Sequence, residues 1–347
     1  MAAIAIAAVM TAVMFDRGFD ALLQSDAEAF YRVALDPFGD GSILTGAGPD
    51  TGTAYRYGRI LFPLSAWSLA FGQPALLRIT IPLLYIGAVM LVATLAATHA
   101  EEAGRPPIVG LAALLVPSAV LTVPILVPEF FVAGLILLMH RLADIRRDRA
   151  ALGAAALVLL ARETATLAMV PFMFRALHNR DWRSIVRWAA AVIPLLIWYV
   201  WVRLHIGVWP FQDPGVPPSR ALDVPLRSFL AKAWSADAGW ALMFAAVLGW
   251  ATIVTGVIVA WRRRTPLSGA GLAMAALILV FGPAQSESPG EAVRLMLPAQ
   301  LLIAIAAISR RTALSAAESK PSNFVITGPQ SPARGHAGYQ MTIPRQA

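Results

Sequence analysis

Asp26 and Glu28 lie two residues apart in the segment QSDAEAFYRVALDPF, Gln24 to Phe38, just beyond the first apolar run. A carboxylate there can meet a substrate at a membrane boundary and take a proton from an attacking hydroxyl. Asp26 also suits a second role, as the cap of a helix beginning at Ala27. Two arginines follow among aromatics in AYRYGRILFP, Ala54 to Pro63. The guanidinium forks of Arg56 and Arg59 match the oxygens of a lipid phosphate. Tyr and Arg in such a block equally serve as interfacial anchors.

Other charges are embedded in apolar sequence. Arg162 and Glu163 interrupt the run AALGAAALVLLARETATLAMVPFMF, Ala150 to Phe174, at its midpoint. Each charge at mid-membrane costs about 2.5–3.5 kcal/mol on insertion scales. The pair therefore needs a partner or a ligand, and either an Arg162–Glu163 lock within the bundle or a substrate site would supply it. Glu129 opens a later apolar run, where a carboxylate complements the helix dipole. Glu291 and Arg294 open the last run at i, i+3 spacing and can pair with each other. His205, Trp209 and Asp213 read as an interfacial anchor followed by a Pro-rich loop.

The elements that hold these residues follow from hydropathy. Apolar residues make up 58% of the 347, mean hydropathy is +0.66, and 14% are charged, which describes an all-α polytopic membrane protein. The net charge of +8 comes from Arg clusters directly after apolar runs, the positive-inside pattern, and not from a nucleic-acid-binding domain. Candidate spans run near Ala2–Phe15, Ala75–Ala97, Pro107–Leu121, Glu129–Leu142, Ile185–Leu204, Ala238–Trp261, Leu267–Pro283 and Val293–Ile308. That makes about eight transmembrane helices. A cleaved signal is the alternative reading of the first.

Basic segments at Arg141–Arg149, Arg175–Arg187, Arg262–Arg264 and Arg310–Arg311 are assigned to the cytoplasm, with both termini. The outer loops are then 16–74 and 205–237, and the first carries seven acidic residues against three basic ones from Asp16 to Tyr57. Parity holds only if Tyr57–Gly72 lies in the outer interface as a helix without crossing. It also requires residues 150–174, basic at both flanks, to form a re-entrant helical hairpin. Arg162 at its tip would reach about 18 Å in, roughly half of a 30 Å hydrocarbon core. The tail 312–347, rich in Ser, Pro, Gly and Ala, reads as a disordered cytoplasmic extension of the 1–311 transmembrane domain.

Several functions lack their signatures. There is no Walker loop, no GxGxxG in a strand–helix unit, no HExxH and no Cys at all, so ATP-driven transport and zinc proteolysis have no support.

The acidic outer loop, Asp26-x-x-x-x-Tyr31 leading into ALDPF, the block YRYGRILFP, and the mid-chain ARETA followed by a Pro and a basic loop together resemble bacterial membrane proteins of the GT-C glycosyltransferase superfamily. The resemblance covers about Asp16 to Arg311. It implies a multi-pass plasma-membrane protein that uses a polyprenyl-phosphate sugar at an outward-facing site. An acidic residue in the first outer loop would deprotonate the acceptor, and Asp26 is the matching position, although Ser25, Ala27 and Glu28 around it differ from the family's Tyr-Asp-Gly-Gln-like element. Arg56, Arg59 or Arg294 would hold the leaving phosphate, with Arg162, Glu163, Glu129 and Glu291 in the same substrate-binding layer and Glu28 supporting Asp26. A divalent ion between Asp26 and Glu28 is compatible chemistry, and no metal is assigned. The rival classes are a secondary transporter, which often carries paired broken helices where only one is seen here, and a non-catalytic membrane scaffold.

Overall fold

The computed structural model describes residues 12, 18–23, 26–47, 52–122, 126–213, 240–280 and 293–309. All lie within the unit Met1–Arg311. The tail 312–347, most of the loop 205–237 and all but residue 12 of the opening run Ala2–Phe15 fall outside the described residues.

The described residues form helices and turns, with no strand among them. In chain order the helices are α1 (Phe19–Leu22), α2 (Asp26–Leu35), α3 (Thr53–Tyr57), α4 (Leu61–Leu69), α5 (Pro74–Glu102), α6 (Pro107–Leu111), α7 (Pro117–Thr122), α8 (Glu129–Asp144), α9 (Asp148–Ala161), α10 (Val170–His178), α11 (Trp182–Ala190), α12 (Ile193–Ile206), α13 (Trp240–Arg263), α14 (Pro266–Leu279) and α15 (Leu297–Ile308). Three stretches are long and apolar enough to cross a membrane: Pro74–Glu102, Trp182–Ile206 and Met243–Arg263. Helices α14 and α15 are apolar but shorter.

Helix α5 starts on Pro74, where a missing N–H costs nothing. It ends in a Schellman turn, with Arg105 N–H donating to Ala100 O and Gly104 N–H to Glu101 O. Gly104 takes φ 72°, the left-handed position that turn needs. Helix α8 is almost wholly buried, packed between α5, α9 and α15. Small residues permit the close approach expected of helices in lipid: a Cβ on Gly271 of α14 would lie 2.9 Å from Ile303 Cγ1 of α15. Apolar side chains cover the outside too. Ile193, Ile197 and Leu204 on α12 and Val247, Val254 and Val257 on α13 are exposed, an arrangement suited to lipid and not to water.

Two expected elements differ. Pro107–Leu121 is not one continuous helix: Val116 adopts φ −58°, ψ 142°, the extended conformation a following proline imposes, and splits the run into α6, a 3-10 turn Ala112–Leu115 and α7. Tyr57–Gly72, expected as one helix in the outer interface, is broken at residues 58–60 between α3 and α4. Its helical part is α4, which buries Phe62, Pro63 and Ala66 in the core.

The chain doubles back at Arg162. Helices α8 and α9 run antiparallel, which brings Arg162 to Glu129 at the start of α8. The 3-10 turn Glu163–Met169 then returns along α8, because Ala168 O lies 3.2 Å from Nε2 of His140, eleven residues further along that helix. The Phe172 ring lies tilted against His140 with centroids 4.7 Å apart, so α10 begins near the far end of α8. The turns after α8, α10 and α13 collect the basic residues, and in each an arginine sits in the left-handed region: Arg146 (φ 60°), Arg180 (φ 55°) and Arg264 (φ 53°). Arg263 donates to Ala307 O and Ser309 O at the end of α15. Helix α14 leaves the same region, with Gly269 against Pro171 of α10. The bundle thus has a basic end, and the first residue of α8 is at the other.

Candidate functional site

At that other end, five charged side chains from distant parts of the chain meet in a run of contacts, and a separate pair adjoins them through the next residue in sequence. Asp26, the first residue of α2, accepts through Oδ1 from Nη1 of Arg56 and through Oδ2 from Nη2 of Arg294. Nε of Arg294 stands 3.8 Å from Oε1 of Glu129. The same Oε1 accepts from Nη1 of Arg162 at 3.2 Å. Glu163, the next residue, is gripped by the fork of Arg59, with Nε–Oε2 at 3.1 Å and Nη2–Oε1 at 2.7 Å. The Arg59 guanidinium also lies over the Tyr55 ring, 4.1 Å from its centroid.

Each member sits where a helix begins, ends or breaks. Asp26 and Glu129 open α2 and α8, Arg56 is in the last turn of α3, Arg59 is in the link to α4, and Arg294 precedes α15. Arg162 takes φ −162°, ψ 118°, and this extended step aims it and Glu163 in different directions. Arg162 and Glu163 therefore do not pair with each other. Each finds a partner in another part of the chain.

Short helix α3 is fixed from three sides. Its Tyr55 N–H donates to Oδ2 of buried Asp213 at 3.0 Å, Tyr57 O–H donates to Asp36 O at 2.7 Å, and Trp198 Nε1–H donates to Tyr57 O at 2.7 Å. Asp213 and Tyr55 thus belong to the support of the site. The sequence placed Asp213 in a loop, and the one signal for it was an acid in an otherwise Pro-rich, aromatic segment. Beside α3, Trp198, Trp201 and His205 stack at 4.4 Å and 4.2 Å, with Phe38 edge-on to both tryptophans.

Glu28 does not join the group. Two helical residues are about 200° apart around the axis, so Asp26 turns inward with Phe30 and Val33 while Glu28 faces outward. There it pairs with Arg32 at 2.7 Å and lines a groove of about 440 Å³ with Leu23, Tyr31, Leu35 and Ile43. A cation shared by Asp26 and Glu28 does not fit this phase, and no group of three or more His, Cys, Asp or Glu suited to a metal occurs among the described residues. Glu291 lies outside the described residues.

Among the described residues the cluster holds four guanidinia and three carboxylates, an excess of one positive charge. Its centre is closed and its flank is open. The side chains of Glu129 and Arg294 are 4% and 5% exposed, against 18% for Asp26 and 19% for Arg56. Oε2 of Glu129 is buried with no hydrogen-bond partner among the described residues. Burial pushes the Asp26 carboxyl up, but Arg294 and then Arg56 outweigh it and hold the group well below the usual carboxylate range.

Buried ion pairs seldom gain net stability over apolar packing of the same volume, so a cluster this large points to a role beyond holding helices together. Its chemistry suits an anion with several oxygens, entering at Asp26 and Arg56. No protein-family model matches the chain, and no curated protein or solved structure matches it.

Proposed function

We propose that this protein is a membrane glycosyltransferase of the GT-C type, transferring a sugar from a polyprenyl-phosphate donor to an acceptor on the outer face of the membrane. The observation that carries the reading is the arginine-rich cluster at the end of the bundle opposite the basic turns. With the basic turns in the cytoplasm, the cluster lies toward the outer compartment, about 24 Å away along the sixteen residues of α8. A lipid-linked phosphate is anchored in the bilayer and presents its charge at that boundary. The eight-span count and the re-entrant placement of residues 150–174 belong to the same proposal, since the reversal at Arg162 brings both flanking basic segments to one end.

In the reaction, an acceptor hydroxyl attacks the anomeric carbon and its proton passes to an oxygen of Asp26. The new bond joins the acceptor oxygen to that carbon. The bond from the carbon to the phosphate oxygen breaks, and its electron pair leaves with the polyprenyl phosphate. Arg56, Arg294 and Arg59 stabilise the charge that grows on the departing group.

The test is transfer from polyprenyl-phosphate sugars in liposomes at equal folded protein. Asp26→Asn should lower turnover by about 10²–10⁴, the usual worth of a general base. Glu28→Gln, on the far face of α2, should stay within about twofold, since exposed pairs of this kind contribute little. A chain that binds the lipid phosphate but never turns over any donor would instead support the transporter or scaffold readings.

A further inference from the structure

Both oxygens of Asp26 are occupied, one by Arg56 and the other by Arg294. A carboxylate so held is a poor base, because each oxygen already accepts from a guanidinium and the two positive charges favour its ionised form. Yet Arg56, 19% exposed, stands at the more open side of this group, with Arg294, 5% exposed, behind it, and a phosphate entering there would meet both.

We propose that the donor phosphate and Asp26 compete for Arg56 and Arg294, so that binding of a lipid-linked phosphate displaces the Asp26 carboxylate and frees it to act as the base. This rests on the glycosyltransferase reading and assigns Asp26 a second function, as an internal stand-in for the phosphate. The stand-in keeps the arginines positioned while the site is empty. It also keeps the base silent until the donor is present, which guards against deprotonating an acceptor with nothing to attack.

Three features support the exchange. The two guanidinia arrive from elements 30 and 268 residues away in sequence and converge on one small carboxylate, leaving a fork on either side as a phosphate requires. Asp26 is more exposed than the enclosed Glu129, and each of its oxygens meets a different arginine, whereas Glu163, though 31% exposed, is held by two nitrogens of the single Arg59 fork. The groups that face Asp26 electrostatically are Arg294, Arg56 and Arg59, all cationic, so once the singly charged phosphodiester of the donor takes these charges the burial of Asp26 remains and its proton affinity rises.

The experiment measures farnesyl phosphate, farnesol and inorganic phosphate binding to the full detergent-solubilised chain, wild type and Asp26→Asn. Removing the competitor should tighten farnesyl phosphate binding by about tenfold, the value of one charge-assisted contact. Farnesol binding should not change, and inorganic phosphate should bind far more weakly than its lipid form. Unchanged or weaker binding by a folded Asp26→Asn protein overturns the exchange and makes Asp26 a plain positioning group. A second measurement needs no variant: carbodiimide labelling of Asp26 at pH 5.5, read by peptide mass spectrometry. Farnesyl phosphate should raise labelling severalfold over the empty protein, and farnesol should not. Saturable farnesyl phosphate binding with Asp26 labelling flat or lower refutes the exchange while the phosphate site stands. Absence of saturable binding to wild type removes the phosphate site and the exchange together.

Discussion

Glu129 and Arg162 provide a direct measure of how tightly the cluster binds the bundle together. Glu129→Gln keeps the shape of the side chain but removes its charge, leaving Arg162, 9% exposed, without the carboxylate it donates to at 3.2 Å. Breaking a buried pair by removing one partner costs about 3–5 kcal/mol, because the other charge stays behind uncompensated. Arg294 also stands 3.8 Å from Glu129 but retains Asp26, so the lower half of that range, about 3 kcal/mol, applies. At roughly 2–4 °C per kcal/mol this is a fall in Tm of about 6–12 °C. Arg162→Met alone should cost a comparable amount by stranding Glu129. The double variant, with both charges gone and volume roughly kept, should recover most of the loss, giving a coupling of at least about 2 kcal/mol. Thermal unfolding in detergent, followed by tryptophan fluorescence, supplies the four corners of the cycle. Additive losses would mean the two side chains do not depend on each other and would refute the network argument.

Two further outcomes follow from the same geometry. Asp26 is held below its unfolded value, so it contributes stability that is present above about pH 4 and is lost as pH falls through the folded value; Tm should drop below pH 4, and Asp26→Asn should flatten that drop. In this Cys-free chain, cysteines placed at Arg147 and Arg180 should both resist an impermeant thiol reagent in intact cells, while one at Asp40 reacts. Labelling at Arg180 alone would show that residues 150–174 cross completely.

The sequence located the charged members of the cluster better than it located their partners. Asp26, Arg56, Arg59, Glu129 and Arg294 stood out as charges at the borders of apolar runs, and Arg162 and Glu163 at the midpoint of one, where an ion is costly unless something answers it. Which charge answers which depends on tertiary approach. Arg162 and Glu163 are neighbours in sequence but diverge at an extended residue, and Arg294 reaches Asp26 across 268 positions. Spacing in one dimension carries no trace of that. Glu28 was grouped with Asp26 because two residues look close in a string, whereas a helix turns them to opposite faces. Pro107–Leu121 has the composition of a span, and the break lies in one dihedral set by Pro117.

The arginines at the three basic turns carry a consequence for how the chain enters the bilayer. Arg146, Arg180 and Arg264 occupy left-handed backbone positions where a side chain costs about 1 kcal/mol or more and glycine nothing. Glycine at all three would therefore make a more relaxed finished protein. It would also strip three cations from the end that the proposed topology keeps in the cytoplasm while the helices insert. In that topology, strain in the completed fold is exchanged for orientation during biogenesis.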